Sequence, residues 1–562
     1  MSDHLPTVDA PYYDSPDDPL CLLPAVAKRH SSDDAIGAPD VKRPKSEDQE
    51  VLYFQEDEED AGTQEKTVDF AMELLAREHE RHHLPTEPSL EFQVSPLRES
   101  IGIKSSEFTC QVCATVKACE LPGGDSFARS PVDIVVALDV SGSMRVEKLD
   151  LCKKTLHLLL RELHQEDRFG LISFSEEAKI EVPMQKVNEE NKRMALRAID
   201  RLSVRGLTNI ASAISLSAQM VNAVTSPNKV RSVFLLTDGN ANSGFTEAAD
   251  LLKLTSIFVE EGHNPHTPPV TLHTFGYGPE PDQKLLRGMA KVTYGGSFYS
   301  VPDNSHVMSA FGDAVGGILS VVAQNVLLTI TAEKGAGIVQ VYHDKAEQLS
   351  DGVFQLPLGD LYAEESRDIV FEVTLISPTT MKNGSSSAHL FPHAIVQLSY
   401  NDTLNHSRIG PVSLPALIAR PNDRELSWPN RYVTIQWLRV RTVRVIGRAE
   451  KLSKDGEVDL AKTEIINWIE EFHKESFEVG AQEDALVVQL LSDLTECLDI
   501  LKRKDYNAYA ENELGVKMNT HYFQRCSEPI ISGKQNVYRT GQKSFRAQAF
   551  KRGSGSGSTL KR

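Results

Sequence analysis

The stretch "VALDVSGSMR", residues 136–145, carries an apolar run straight into Asp139, Ser141 and Ser143, with Gly142 between the serines. Three oxygen-bearing side chains at alternate positions, where a buried strand should end, admit two chemistries. One is a nucleophile held on a turn, as in a hydrolase. The other is a cradle of oxygens for a hard metal ion. The residues leading in, "DIVVALD" (133–139), form a nearly unbroken apolar run, the pattern of a strand covered on both faces. The residues leading out place Leu149, Cys152, Leu156, Leu159, Leu160 and Leu163 on one face of a helix.

Outward from this unit, strand and helix patterns alternate. "RFGLISFS" (168–175), "SVFLLTD" (232–238), "VTLHTFGYG" (270–278) and "GSFYSV" read as strands. "NEENKRMALRAIDRL", "TNIASAISLSAQMVNAV", "TEAADLLKLTSIFVEEG", "DQKLLRGMAKVT" and "HVMSAFGDAVGGILSVVAQ" read as helices. Such alternation specifies an α/β fold, a doubly wound and mostly parallel Rossmann-like sheet. In an open sheet of this kind the ligand site lies outside the carboxyl ends of the strands. Asp139 and Asp238 end two strands, and Thr208 in "GLTNI" opens a helix, so all three face the same edge.

Asp139, Ser141, Ser143, Thr208 and Asp238 are all oxygen donors, which hard divalent cations prefer. Mg²⁺ suits the set, with Ca²⁺ or Mn²⁺ as alternatives. Three of the five are neutral hydroxyls, so a divalent cation would be under-neutralised if one of the two carboxylates reached it only through water, and would then favour an incoming anionic oxygen. Helix capping is the competing explanation for Ser143 and Thr208, but it gives no reason for two carboxylates to share one rim. The hydrolase reading lacks the Gly-x-Ser-x-Gly turn and an assignable base, since His157 lies on a helix and His273 inside a strand.

Asp-x-Ser-x-Ser after a strand, Gly-x-Thr-x-Ile at a helix start and Thr-Asp-Gly after a strand together resemble the von Willebrand factor A domain over residues 131–323. The resemblance implies a metal ion-dependent adhesion site. Asp139 would be the anchoring carboxylate, Ser141, Ser143 and Thr208 hydroxyl ligands, and Asp238 a ligand directly or through water. It also implies a protein partner that offers an Asp or Glu carboxylate to the metal.

Beyond residue 324 the pattern changes. "NVLLTITAEK", "GIVQVYHD", "RDIVFEVTLI" and "HAIVQLSYN" alternate without intervening helices, which describes an antiparallel β-sandwich over 324–428. The strand region at 101–130, with "FTCQVCATVKA", is expected to join it. Residues 429–528 read as a C-terminal helical module, 66–100 as a linker with a short helix, 1–65 as a disordered acidic tail and 529–562 as a basic flexible tail. The whole layout is similar to the body of the plant wavy-growth ubiquitin ligases. Those carry a zinc-bound RING, for which Cys110, Cys113 and Cys119 alone supply too few ligands.

The net charge of −19 disfavours a general nucleic-acid binder. The surplus sits mostly in the first hundred residues, with 24 acidic and 9 basic side chains, and the acidic and basic tails are candidates for pairing with each other. No run is long and apolar enough to span a membrane, and the first residues do not resemble a secretory leader. An odd count of seven cysteines then reads as intracellular, cytoplasmic rather than nuclear. The expectation is a non-enzymatic, metal-dependent protein-interaction module. The alternatives are an adaptor working with a separate RING ligase and a scaffold with a merely stabilising metal.

Overall fold

The structure, a computed structural model, describes residues 87–548 apart from 122–128, 239, 262–267, 279–281, 294, 302–305, 377–389, 504–507, 526–535, 542 and 546–547. The expectations for residues 1–65, for residues 66–86 of the linker with a short helix and for pairing between the tails lie outside the described residues. Two strands, β1 (Leu90–Pro96) and β2 (Thr109–Ala118), precede the α/β unit and belong to a separate layer.

The α/β unit is built on β3 (Val132–Asp139), β4 (Arg168–Phe174), β5 (Ala178–Lys186), β6 (Val230–Thr237), β7 (Val270–Tyr277) and β8 (Phe298–Val301), in the order β5-β4-β3-β6-β7-β8. All neighbours are parallel except β4 and β5. Every residue of β3 and β6 is buried, so neither shows a polar face. Val132, Ile134, Val136 and Leu138 pack on one side with α1 (Arg145–Glu162), α2 (Glu189–Arg201) and α6 (Val307–Ile318). Val135 and Ala137 pack on the other with α3 (Ile210–Asn222), α4 (Ala248–Glu261) and α5 (Gln283–Val292). The chain leaves β3 toward β4 on one side and returns to β6 on the other. The strand order therefore reverses at β3, opening a crevice outside the carboxyl ends of β3 and β6. The antiparallel β5 was not anticipated: its sequence "AKIEVPMQK" is half-exposed and contains Pro183, as an edge strand tolerates.

Two antiparallel sheets form the second layer. One has the order β1-β2-β13-β10, with β10 (Ile338–Val341) and β13 (Ser366–Thr374). The other runs β11-β12-β9-β14-β15, with β9 (Val321–Ala332), β11 (Glu347–Ser350), β12 (Val353–Tyr362), β14 (Leu390–Asp402) and β15 (Ser407–Ala419). Residues 66–100 are expected to be a linker with a short helix; the structure corrects the end of that segment, where β1 pairs along β2 from Leu90↔Ala118 to Pro96↔Val112. There Leu90, Phe92 and Val94 turn to the sandwich core and alternate with exposed Glu91 and Gln93, a short period-two pattern. Cys110 faces the sandwich core, whereas Cys113 faces outward onto Val370, Val433 and Val440. The two thiols thus lie on opposite faces of β2, as a spacing of three requires.

Val433 and Val440 belong to α7 (Arg431–Lys454), which packs with α8 (Val458–Glu478), α9 (Ala485–Lys502) and α10 (Ala508–Phe523) around Trp468, Phe472 and Leu494. No helix among the described residues is long and apolar enough to cross a membrane.

The expected basic flexible tail at 529–562 is corrected over 536–541 and 543–545, which pack into the junction of the layers. Lys543 is wholly buried, 3.6 Å from Glu365, and Arg539 stands 3.4 Å from Asp313 on α6. Arg525 donates to both oxygens of Glu365 at 2.9 and 2.8 Å, and Arg367 donates at 2.9 Å. Burial alone would raise the Glu365 carboxyl; Arg367, Arg525 and Lys543 overcome that and hold it well below the usual carboxylate range. Removing one partner of a buried ion cluster strands the others. Glu365→Ala should therefore cost about 3–5 kcal/mol in chemical denaturation, while exposed Glu425→Ala should stay within about 0.5 kcal/mol of the parent.

Candidate metal centre

Three loops meet at the crevice, each tied to the other two. Asp139 closes β3 and is fully buried. Its Oδ1 accepts from the Ser141 amide at 2.8 Å, and its Oδ2 accepts from the Thr237 hydroxyl at 2.7 Å. The second bond joins the end of β3 to the end of β6. The Gly142 amide donates to the Gly206 carbonyl at 3.1 Å, and the Arg205 amide to the Val140 carbonyl at 2.6 Å. These link the first loop to the one carrying Thr208. Gly206 makes this turn at φ +64°, a backbone conformation that residues with a side chain rarely adopt. The Thr208 amide donates to Asn242 Oδ1 at 2.6 Å, and the amides of Asn242 and Ser243 return to the Thr208 carbonyl at 3.0 and 3.2 Å. That last set joins the second loop to the third, which begins at Asp238.

All five residues singled out in the sequence converge on this rim. Asp139, Ser141, Thr208 and Asp238 are buried and Ser143 is exposed. The two serine hydroxyls are hydrogen-bonded to each other at 2.9 Å. Capping does not account for the hydroxyls. The helix α3 is capped by Asn209, which accepts from the Ser212 amide at 3.0 Å. The turn at Gly142–Met144 and α1 both start without a side-chain cap. Thr208 Oγ1 and Asp238 Oδ1 are buried with no hydrogen-bond partner among the described residues. A hydroxyl and a carboxylate oxygen so placed are expensive to leave unmatched.

Electrostatics points the same way. Burial pushes the Asp139 carboxyl up to about 6, the Asp238 carboxylate adds to the rise, and the bonds from Ser141 and Thr237 only partly offset it. The donor set therefore fits a small, hard, divalent cation: two carboxylates and three hydroxyls at one mouth, two of whose oxygens are the orphaned ones. Among the described residues no three His, Cys, Asp or Glu side chains gather, so a cation here would depend on the hydroxyls. Neither histidine weighed as a base reaches the rim. His157 pairs with Asp200 at 2.9 Å, and His273 is fully buried in β7 with its pKa lowered to about 3 by burial. Sequence reading missed Asn242, Thr237 and Asn209, which hold the loops. The available signal was an Asn four residues beyond Asp238 in "TDGNANSG", a turn-forming residue whose side chain bonds backbone.

A parallel sheet with a hydroxyl-and-carboxylate mouth at its switch point defines a class of interaction domain. Residues 133–312 match the family model of the von Willebrand factor type A domain, and the chain carries that domain, a protein-interaction module. The chain is 28% identical over 262 residues to the E3 ubiquitin-protein ligase WAV3 of Arabidopsis thaliana, covering 46% of this chain and 32% of that protein. It is 24% identical over 364 residues to the E3 ubiquitin-protein ligase WAVH1 of the same plant, covering 62% of this chain and 46% of that protein. The chain thus spans less than half the length of either plant relative. Among solved structures, a von Willebrand factor type A protein from Catenulispora acidiphila shares the fold with a TM-score of 0.54 at 17% identity, over 77% of this chain and 96% of that one.

The sign of the Asp139 shift has a measurable consequence. A buried carboxyl raised from 3.8 to about 6 opposes folding when ionised, so with chelator present its burden grows as pH rises from about 4 to 6. At pH 7 in chelator, Asp139→Asn should equal or exceed the parent in stability, by about 1–3 kcal/mol. A urea titration checks it, and the advantage should vanish near pH 4.

Proposed function

We propose that this chain is a non-enzymatic, intracellular interaction protein that captures an acidic side chain of a protein partner through a divalent metal at the rim. Asp139, Ser141, Ser143, Thr208 and Asp238 would hold Mg²⁺, or Ca²⁺ or Mn²⁺ in its place. The bound ion would supply Lewis acidity toward one carboxylate oxygen. The observation that carries the reading is the pair of orphaned oxygens, Thr208 Oγ1 and Asp238 Oδ1, at a mouth where two carboxylates stand together. The chain's own residues do the positioning: Thr237 and the Ser141 amide fix Asp139, and Asn242 fixes Thr208. Val146, Leu207 and Phe245, exposed at 64%, 47% and 53% on the segments bordering the mouth, suit a partner whose Asp or Glu is flanked by apolar side chains.

Asp139→Ala should lower affinity for Mn²⁺ in calorimetric titration by at least about a hundredfold and abolish chelator-sensitive partner capture from lysate. Equal partner recovery by parent and variant, with and without chelator, would sink this reading. Chelation that lowers the melting temperature without altering recovery would instead mark a scaffold with a stabilising metal.

A second reading, a component of the ubiquitin pathway, is favoured by one observation. The match to WAVH1 covers 62% of this chain, more than the A domain alone supplies. On this reading the chain acts as an adaptor beside a separate RING ligase. Purified chain incubated with activating and conjugating enzymes should not modify itself unless a RING protein is added; self-modification by the chain alone would make it an enzyme.

A further inference from the structure

A cavity of about 110 Å³ lies where α5, the sandwich and α10 meet. Its described lining includes Arg287, Lys291, Lys345, Arg367 and Arg525, and no Asp or Glu. Arg367 and Arg525 are engaged by Glu365. Arg287 donates to Gln283 Oε1 at 3.3 Å. Arg287 stacks on the Phe298 ring at 5.4 Å and Lys291 on the Phe523 ring at 5.1 Å, and Lys345 donates to the Lys291 carbonyl at 3.1 Å.

Two carboxylates act on this trio from outside the lining. Asp344 acts on Lys291 and Lys345, and Glu450 on Arg287 and Lys291. Asp344 is itself taken up by the Tyr522 hydroxyl and stands 3.6 Å from His343. Burial lowers the pKa of Arg287 and Lys291 and brings Lys345 down to about 8, with neighbouring cations adding to the fall at both lysines. Because Asp344 and Glu450 lie outside the lining, the cations face one another across the cavity, where an anion is favoured. A carboxylate would bring one charge. A phosphoryl group brings close to two, with several acceptor oxygens for a guanidinium fork and two ammonium groups.

We infer that Arg287, Lys291 and Lys345 form an anion site for a phosphoryl group, carried by a small phosphorylated molecule or by a phosphorylated side chain. The space holds one such group and no folded partner, since an ordered water needs only about 10–15 Å³ on the same measure.

The test is calorimetric titration of the whole chain at low salt in chelator, which keeps phosphate away from any metal at the opposite rim. Inorganic phosphate, glucose 6-phosphate and a phosphoserine peptide are the probes. Phosphate should bind saturably, and Lys291→Gln and Lys345→Gln should each weaken it at least about tenfold. Lys284→Gln, an exposed lysine on the same helix, should leave it unchanged. Arg287→Lys, which keeps the charge and loses the fork, should cause a smaller loss and guards against variants that fail to fold, as does circular dichroism of each. Tighter binding of glucose 6-phosphate than of phosphate would identify a soluble ligand, and tighter binding of the peptide a modified protein. Absence of saturable binding by all three probes, or parental affinity in Lys291→Gln and Lys345→Gln, would overturn the inference.

Discussion

Two carboxylates held out of water at one mouth are the constraint on which the upper rim depends. A parallel sheet that reverses its strand order at β3 must bring the end of β3 beside the end of β6; β3 ends on Asp139 and Asp238 follows β6 directly. Hydrogen bonds fix Asp139 against Thr237 and Ser141, so its carboxylate cannot swing away from Asp238. Salt in the solvent screens such a pair poorly because the site is buried. The surrounding loops then make sense as a frame. They tie Gly142 to Gly206 and Thr208 to Asn242, at the expense of leaving two oxygens without partners.

The junction of the layers solves a different electrostatic problem. The sandwich presents Glu365 and the α/β unit presents Asp313, both almost inaccessible. Their cations come from Arg367 nearby and from Arg525, Arg539 and Lys543 near the far end of the chain. Residues separated by about two hundred positions thus complete one cluster. Arg525 also donates to the carbonyls of Gly295 and Asp360 at 2.9 and 2.8 Å, so a single guanidinium spans both layers. Breaking such an arrangement is costly even where forming it contributes little net stability.

The central sheet and the five rim residues were legible because both follow from local pattern. An unbroken apolar run means a strand covered on both faces, and a parallel sheet sends every strand end to one edge. What stayed hidden depends on distant partners. The edge strand β5 buries too few side chains to show a period, and the alternation in β1 is confined to Leu90, Phe92 and Val94. Thr208 looked like a helix cap, and the neighbouring Asn209 holds that position instead. The segment around Lys543 read as a solvated basic tail, because nothing near it in sequence reveals that Glu365 is waiting for its charge. Asn242 showed only as a turn residue for the same reason: its importance lies in the amide of a residue thirty-four positions earlier.

The polarity of the α/β architecture rationalises why the two charge anomalies sit at opposite ends of the sheet. Helices that connect parallel strands start at the carboxyl rim, as α1 does after Ser143 and as α3, which leads into β6, does after Thr208. Their amino termini carry the positive ends of the helix dipoles to the place where Asp139 and Asp238 gather. The same helices end at the opposite face, and there α5 carries Lys291 in its last turn, where a cation is favoured by the negative end of the dipole. Dipoles of this kind contribute roughly 0.3–1 kcal/mol each, too little to neutralise a buried carboxylate pair or a cluster of half-buried cations. They bias which sign of charge collects at each end, and the residue left over is the reason a cation fits the rim and an anion fits the base.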